Sequence, residues 1–349
     1  MSATATLYVD PVVHFPFLAE HPEYGSPAKL DNLERLVEAR NAGRLTLDAC
    51  PAFIRLEPSA HCNLRCCWAQ RQPKHPALRP RGHAEPDLAR RIVDQIGDRL
   101  YQVILCHWGE PLLNSRLPEL VHIFHEAGIY TTFDTNMTLM TPGLAEALVQ
   151  AGLDRVSASI DGLTQESYAQ YRRGGRVEKA LDGLRYMVQA RCRLGRKNPI
   201  IRWQYLVFEH NQHEVAAARE LAGEIGVDTF DAFGGSGRSW SPEAGFAPPQ
   251  TPRRPDGLLC TDPWMYLAVD WDGGVHLCCR AFQARHVVGH MNDDDLESIF
   301  NNDGFQLARR VIRDGVWSPE DGTTPCTGCN FVKLHVPAIA ALGHRLTVD

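Results

Sequence analysis

Short apolar runs alternate with amphipathic windows along the middle of the chain. The runs predict strands at 53–57, 101–106, 129–134, 154–159, 200–207 and 227–232. Between them, apolar residues recur at spacings of three and four, which predicts helices at 86–99, 115–127, 142–151, 177–193 and 211–225. Strands that alternate with helices pair in parallel through right-handed crossovers. The pattern therefore predicts an α/β fold, a partial (β/α)6 barrel built from six such units.

The segments on either side of this region have different patterns. Residues 1–51 contain one predicted helix at 28–42, and the Gly-, Pro-, Ser- and Arg-rich stretch 233–257 has no apolar period. Beyond it, two apolar runs around Asp270-Trp271-Asp272-Gly273-Gly274 favour a β-hairpin, and a helix is predicted over 294–312. We divide the chain accordingly into an N-terminal extension at 1–51, the barrel at 52–232, a linker at 233–257 and a small C-terminal domain at 258–349.

Composition and charge exclude several classes of protein. The 349 residues are 44% hydrophobic and carry a formal net charge of −6, so no basic excess exists to attract nucleic acid or a membrane surface. No run of eighteen apolar residues and no signal-peptide pattern occurs, which predicts no membrane association and a cytoplasmic location. Because thiols stay reduced there, the eleven cysteines favour metal or cluster binding over disulfides.

Five cysteines are concentrated towards the C-terminus, at positions 260, 278, 279, 326 and 329. A Cys-x-x-Cys pair together with two distant cysteines, one of them at the foot of a hairpin, is typical of a four-thiolate site. Cysteines that only fill a core would be scattered. The spacing predicts a metal or cluster site, and both an iron-sulfur cluster and a structural zinc ion satisfy it.

Polar or glycine-bearing groups follow each of the first five predicted strands. They are Cys62 and Cys66 after the first strand, Gly109 and Glu110 after the second, Asn136 after the third, Ser159 and Asp161 after the fourth, and Glu209 after the fifth. The carboxyl ends of parallel strands meet at one edge, so these groups are expected to converge on one rim. The first two cysteines alone are also compatible with small apolar residues in a turn.

The run Cys62-Asn63-Leu64-Arg65-Cys66-Cys67-Trp68-Ala69 resembles the Cys-x-x-x-Cys-x-aromatic-Cys signature of radical S-adenosylmethionine (radical SAM) enzymes. Ala69 stands at the third cysteine position. The segment Trp108-Gly109-Glu110-Pro111 is similar to the Gly-Gly-Glu motif of that family, with Trp108 in place of the first glycine. The C-terminal cysteines resemble the opening of a SPASM domain in its shorter "twitch" form. The resemblance covers about residues 50 to 332.

The resemblance implies a set of cofactors and their ligands. In the family, three thiolates hold a [4Fe-4S] cluster whose open iron binds S-adenosylmethionine, and an electron then yields a 5′-deoxyadenosyl radical. It implies metal ligands at Cys62 and Cys66, and an S-adenosylmethionine site at Trp68, Gly109, Glu110, Asn136, Ser159 and Asp161. It also implies one auxiliary [4Fe-4S] cluster at Cys260, Cys278, Cys326 and Cys329, with Cys279 as the alternative to Cys278.

Ala69 predicts that the first cluster is labile or absent and that the chain as it stands is inactive, because a methyl group cannot ligate iron. An engineered replacement of cysteine, a natural loss of it, and a cluster completed by Cys67 after rearrangement remain as alternatives. A flavodoxin- or ferredoxin-type reductant is implied for the active form. Family members with such domains act on aminocyclitols, sugars and nucleoside-sugar intermediates, or mature peptides. Residues 1–51 are short for a domain that binds a leader peptide. We therefore expect a small, carbohydrate-like substrate, with a role in natural-product or antibiotic biosynthesis.

Two reactions make different demands on the side chains near the substrate. An epimerase needs a thiol that returns hydrogen to the opposite face, and the candidates are Cys106 and Cys279. A dehydrogenase needs a base, for which Glu209 and Arg202 are candidates. A peptide maturase and a non-catalytic cluster or zinc protein remain as alternatives.

Overall fold

A computed structural model describes residues 21–66, 80–234, 260–279, 281, 286–314, 317–318, 320, 322 and 324–329. Trp68 and Ala69 lie outside the described residues, as does the predicted linker except for its first two positions. None of the described helices is both long enough and apolar enough to cross a membrane.

A single sheet forms the centre of the described part of the fold. Its strands are β1 (Phe53–Leu56), β2 (Gln102–Ile104), β3 (Tyr130–Thr135), β4 (Arg155–Ser159), β5 (Ile200–Val207), β6 (Thr229–Gly234), β7 (Tyr266–Val269), β8 (Gly274–His276) and β9 (Val287–His290). They are ordered β6-β5-β4-β3-β2-β1-β7-β8-β9, and β1 to β6 are parallel throughout. Because β6 and β9 are edges, the sheet is open, and the predicted partial barrel of six strands is confirmed.

Helices connect the strands and close the core. They are α1 (Pro27–Asn41), α2 (Pro86–Ile96), α3 (Leu117–Glu126), α4 (Pro142–Gln150), α5 (Gln165–Tyr171), α6 (Val177–Arg193), α7 (Val215–Ile225), α8 (Asp262–Met265), α9 (Leu296–Phe300) and α10 (Asp303–Asp314). Hydroxyl side chains accept hydrogen bonds from backbone N–H groups at the starts of several helices, for example Ser26 at α1 and Thr141 at α4. The helices predicted between the strands are all present, within a few residues of the predicted bounds.

The two faces of the sheet differ in polarity. One face is apolar and belongs to the same buried core as the helices, with fully buried side chains at Ile54, Val103, Phe133, Val156 and Trp203. The opposite face, which we call the inner face, is polar. Asp134, Ser157 and Arg202 lie side by side on it, since they are register partners on β3, β4 and β5. Parallel sheets are usually apolar on both faces, so this polarity marks the inner face as a site for a ligand.

One helix prediction is corrected, and some helices were not predicted. The single helix predicted over 294–312 is wrong, because the chain breaks into α9 and α10 at Asn301 and Asn302. The Asn302 side chain accepts from the N–H groups of Gly304 and Phe305, which starts a new helix where the apolar period alone would continue the old one. Helix α5 was not predicted.

The C-terminal hairpin continues the barrel sheet. Strand β7 pairs with β8 antiparallel across the predicted Asp-Gly turn, which confirms the hairpin. On its other side β7 pairs with β1 in parallel, from Phe53 opposite Tyr266 to Leu56 opposite Val269. The proposed division of the chain into domains therefore stays a prediction, and the hairpin shares hydrogen bonds with the first barrel strand.

Candidate active site

Glu110 lies at the carboxyl edge of the sheet, in the segment that follows β2, and is 3% exposed. Its carboxylate accepts from the Thr135 hydroxyl at 2.6 Å, from the Asn136 N–H at 2.9 Å and from the Leu112 N–H at 3.1 Å. Burial raises the pKa of Glu110, and these donors oppose the rise. The structure thus holds a buried carboxylate at the end of β3, at a residue that the resemblance assigns to the S-adenosylmethionine site.

A close approach of two backbones fixes this carboxylate. A Cβ atom on Gly109 would lie 1.9 Å from the Ser59 carbonyl oxygen and 2.6 Å from that of His61, so only glycine fits. The Glu110 N–H donates to the His61 carbonyl at 2.7 Å. The segment that carries Cys62 is therefore tied to the Gly-Glu segment after β2.

The loop with the two cysteines is also tied to the end of β3. The Asn136 side chain donates to Asn63 Oδ1, and Asn63 Nδ2 donates to Thr138 Oγ1, both at 2.9 Å. Burial raises the pKa of the Cys62 thiol to about 11. Cys62, Cys66, Glu110 and Asn136 thus converge on one edge, as the sequence predicts.

Asp161 and Arg172 form a buried ion pair on the other side of this edge. Arg172 Nε lies 2.5 Å from Asp161 Oδ2, and the Asp161 side chain is fully buried. Burial acts to lower the pKa of Arg172, but the charge and hydrogen bond of Asp161 together with the charges of Cys66 and Tyr171 outweigh it, and the pKa is raised. Arg172 also hydrogen-bonds the Cys66 thiol, whose pKa is raised by burial against the effect of the guanidinium. A guanidinium at this point can receive a carboxylate, and the sequence did not single it out.

A buried hydroxyl without a partner points into the same cluster. Tyr168, on α5, is fully buried, and its Oη makes no hydrogen bond in the described structure. Burial raises its pKa, and the charges that act on it are those of Arg172, Asp161, Cys66 and Glu110. A buried polar group in a native fold normally has a partner. The orphaned hydroxyl therefore indicates that a polar ligand completes the cluster.

Cys106 lies below this cluster on the inner face, two residues after β2. Arg55 Nη1 donates to its sulfur at 3.2 Å, and its S–H donates to Asp134 Oδ2 at 3.6 Å. Arg55 is held in turn by Tyr266, whose hydroxyl oxygen accepts from Nε at 2.8 Å. Burial raises the pKa of the Cys106 thiol to about 12. The thiol is therefore protonated at neutral pH, and it lies between the Arg55 guanidinium and the Asp134 carboxylate.

The other candidates near the substrate are less enclosed. Arg202 is on the inner face of β5 and pairs with Asp231 of β6 at 2.5 Å. Glu209 is exposed beyond β5, and Ser159 is buried at the end of β4. Cys279 is half-buried, and its charge acts on both Arg55 and Tyr266. Cys106 and Cys279 thus both lie near the Arg55 guanidinium, whereas Glu209 is exposed beyond β5.

Four of the C-terminal cysteines are close enough for the charge of one to affect the pKa of another; they are Cys260, Cys278, Cys326 and Cys329. Burial raises the pKa of Cys260, and both Cys326 and Cys278 add to the rise. Burial raises the pKa of Cys326 to about 12, and Cys329 adds to that rise. No three Cys, His, Asp or Glu side chains of the described residues stand together at metal-binding distances. The ligand set of the auxiliary cluster therefore rests on spacing and on the sulfur-rich chemistry of the donors.

Family models assign both halves of this arrangement. Residues 56–197 match the model of the radical SAM superfamily, and residues 260–330 match that of SPASM, an iron-sulfur cluster-binding domain. The chain is a radical SAM protein with a C-terminal SPASM domain. These domains imply S-adenosylmethionine and [4Fe-4S] clusters, including an auxiliary cluster, as its cofactors, which confirms the prediction from the motifs.

Known proteins resemble the chain over part or most of its length. The AdoMet-dependent heme synthase of Methanosarcina barkeri is 28% identical over 184 residues, which are 52% of this chain and 50% of that protein. The chain thus spans about half the length of this relative. The structure of Streptococcus suis SuiB bound to S-adenosylmethionine superposes with a TM-score of 0.60 at 14% identity, over 92% of this chain and 82% of SuiB. BtrN in complex with AdoMet and 2-DOIA gives 0.50 at 17%, over 77% and 89%. At these identities the structures show the common fold.

The residues present fit S-adenosylmethionine better than they fit the cluster that activates it. Glu110, Arg172 and the orphaned Tyr168 hydroxyl offer an acceptor for an ammonium and donors for a carboxylate. Of the three thiolates that the signature supplies, the sequence provides two, Cys62 and Cys66, and Ala69 is the third position. The described residues therefore offer groups of the kind that S-adenosylmethionine needs, and the sequence supplies two of the three cysteines of the signature.

Proposed function

We propose that this protein has the scaffold of a radical SAM epimerase for a small polar, carbohydrate-like substrate, with Cys106 as the hydrogen-atom donor. In its active form, S-adenosylmethionine supplies the radical that removes a hydrogen atom from a substrate C–H bond. The observation that carries the proposal is the enclosed Cys106 thiol on the polar inner face. The chain as it stands is proposed to be inactive because of Ala69.

The state of Cys106 suits hydrogen-atom donation. A donor must keep its S–H bond, and a thiol with a pKa near 12 keeps it at any physiological pH. Donation gives the hydrogen to the substrate carbon and leaves a sulfur-centred radical. One electron from a flavodoxin- or ferredoxin-type reductant and one proton then restore the thiol. Asp134, which accepts from the S–H group, is placed to pass that proton.

The inner face also supports a substrate rich in hydroxyl groups. Ser157 is fully buried there, and its hydroxyl has no hydrogen-bond partner in the described structure. Arg202 and Asp231 are half-exposed on the neighbouring strands and offer both donors and acceptors. A peptide remains the second candidate substrate, because SuiB, which shares the fold, is also known bound to its precursor peptide SuiA.

The test begins with restoring the third thiolate. Ala69→Cys, loaded anaerobically with iron and sulfide and given S-adenosylmethionine and dithionite, is expected to form 5′-deoxyadenosine, and the unaltered chain is expected to form none. A panel of aminocyclitols and sugars in D₂O is then screened for deuterium in the product. A fully loaded Ala69→Cys protein that forms no 5′-deoxyadenosine would refute the radical mechanism.

Cys106→Ala in the Ala69→Cys background separates the reactions. We expect 5′-deoxyadenosine to form as before and deuterium to disappear from the product. Cys192→Ala is the matched control, since Cys192 is an exposed cysteine on α6, away from the inner face. Undiminished deuterium uptake in Cys106→Ala, or a product oxidised by two electrons without deuterium, would decide against epimerisation through this thiol.

A further inference from the structure

A buried polar cluster lies outside the S-adenosylmethionine site, at the junction of the barrel with the C-terminal hairpin. It consists of His107, Asp270 and His276, whose side chains are 1%, 7% and 0% exposed. His276 Nε2 lies 2.7 Å from Asp270 Oδ2, and His107 Nδ1 lies 3.5 Å from Asp270 Oδ1. Asp270 therefore ties the turn after β7 to β8 through His276, and His107, three residues after β2, lies beside this pair with no hydrogen-bond partner for its Nδ1 among the described residues.

His107 makes a second contact, to the cysteine pair after β8. Its Nε2 lies 3.2 Å from the carbonyl oxygen of Cys279. A carbonyl can only accept, so Nε2 carries the proton and donates. His107 directly precedes the Trp108-Gly109-Glu110 segment. Its ring thus contacts the main chain at Cys279, one of the two candidate cluster ligands after β8.

Burying three polar side chains at a junction lowers the stability of the fold unless hydrogen bonds compensate them. A thiolate on a short irregular segment needs a hydrogen bond behind it to hold its direction, because ligands are oriented by the groups that contact them from outside. Residues 278 and 279 lie just beyond β8, and the Ala281 N–H donates to the Cys278 carbonyl. The His107 ring contacts the next carbonyl along.

We infer that His107 is a positioning residue for the auxiliary cluster. Its Nε2–H donates to the Cys279 carbonyl and thereby holds the direction of the cysteine pair. The inference concerns the SPASM site and is independent of the reaction proposed for the barrel. It assigns a role to a residue of the second strand in a cofactor site built by the C-terminal domain.

Two amide substitutions separate the contacts of the ring. The amide nitrogen of glutamine reaches about as far as Nε2 of histidine, and that of asparagine reaches about as far as Nδ1. His107→Gln is therefore expected to retain the contact to Cys279 and His107→Asn to lose it. All variants carry Cys62→Ala and Cys66→Ala, so that the iron of the reconstituted full-length protein reports the auxiliary cluster alone.

The measurement is the rate at which a chelator removes iron, together with the electron paramagnetic resonance spectrum of the dithionite-reduced cluster. Loss of a group that supports a metal ligand commonly costs about tenfold in metal affinity. We expect His107→Asn to lose iron about tenfold faster with a shifted spectrum, and His107→Gln to keep the parent's spectrum and remain within about threefold of its rate.

Asp272→Asn is the matched control, because Asp272 is in the same turn but its side chain accepts from Gly274. It is expected to match the parent. His107→Gln is the second test, should His107→Asn fail to fold, because glutamine retains a donor for the Cys279 carbonyl. Iron loss and a spectrum in His107→Asn equal to those of the parent, or a failure of His107→Gln to keep the parent's values, would overturn the inference.

Discussion

At the scale of single residues, the hydrogen bonds around Glu110 leave room for one more. An ionised carboxylate can accept about four hydrogen bonds, and three come from Thr135, Leu112 and Asn136. Because burial raises the pKa of Glu110, a cation that fills the last position would hold the group ionised. The ammonium of S-adenosylmethionine is such a cation, so binding and ionisation at this residue favour each other.

Tyr168→Phe should change stability and binding in opposite directions. The ligand-free fold buries the hydroxyl without a partner, so its removal is expected to raise the free energy of unfolding by about 1 kcal/mol. S-adenosylmethionine should bind about five- to tenfold more weakly, because a neutral hydrogen bond contributes about 1 kcal/mol. Denaturant unfolding and calorimetric titration measure the two effects.

Tyr205→Phe is the control for this change. Tyr205 is equally buried, but its hydroxyl donates to the Asn211 carbonyl at 3.0 Å and lies 3.3 Å from Glu214. Its removal should lower the free energy of unfolding by about 1 kcal/mol or more and leave S-adenosylmethionine binding unchanged. If both variants were destabilised alike, the Tyr168 hydroxyl would have a partner in the ligand-free protein.

The sequence predicts some residues of the site and misses others for a physical reason. Glu110 and Asp161 follow strands with clear apolar runs, and parallel strands bring their carboxyl ends together. Arg172 and Tyr168 come from α5, a seven-residue helix whose sequence is mostly polar. An element that short carries no apolar period, so neither it nor the groups it brings to the edge could be predicted.

At the scale of elements, side-chain caps decide what the apolar period cannot. In the sequence, Leu296, Ile299, Phe300, Leu307 and Val311 lie at spacings that one continuous helix would satisfy, whereas α10 buries another face, with Phe305, Ala308 and Ile312. The break comes from Asn302, whose side chain replaces the backbone partner of the next two N–H groups. The predicted bounds of the barrel strands agree with the structure to within about two residues. In β4, for example, Val156 and Ala158 alternate with polar residues, and this pattern identifies the strand.

Gly109→Ala should disrupt the turn that joins β2 to Glu110. The added Cβ would lie 1.9 Å from the Ser59 carbonyl, so the two backbones must separate and the Glu110 to His61 hydrogen bond must lengthen or break. We expect a loss of about 1–3 kcal/mol in the free energy of unfolding and at least a comparable loss in S-adenosylmethionine binding. Thermal unfolding and titration measure both.

Gly143→Ala is the matched control. Gly143 lies in the first turn of α4, and a Cβ there would meet no atom within 4 Å. Alanine is preferred over glycine in a helix by up to about 1 kcal/mol, so this variant should be as stable as the parent or more stable. A Gly109→Ala protein that behaved like Gly143→Ala would show that the turn has more room than the structure gives it.

At the scale of the whole molecule, the pairing of β7 with β1 makes the hairpin part of the barrel sheet. The two strands are about two hundred residues apart, and no local pattern in either one specifies the partner. The sequence could predict both strands and the hairpin turn, but it could not predict that the C-terminal segment would extend the sheet. Contacts of this kind depend on which edge remains unpaired once the barrel strands are in place.

The shared sheet predicts that β7 opens only when the whole barrel unfolds. Backbone amides that exchange through global unfolding show the full free energy of unfolding, whereas those at frayed edges exchange far more easily. The amides of Leu267 and Val269 should therefore be as protected as those of Phe133 in the centre of the sheet. Strand β9, whose first residue is exposed at the other edge, supplies the control and should exchange faster. Native-state hydrogen exchange of the full chain measures β3, β7 and β9 at once, and β7 amides as unprotected as those of β9 would mean that the C-terminal domain opens by itself.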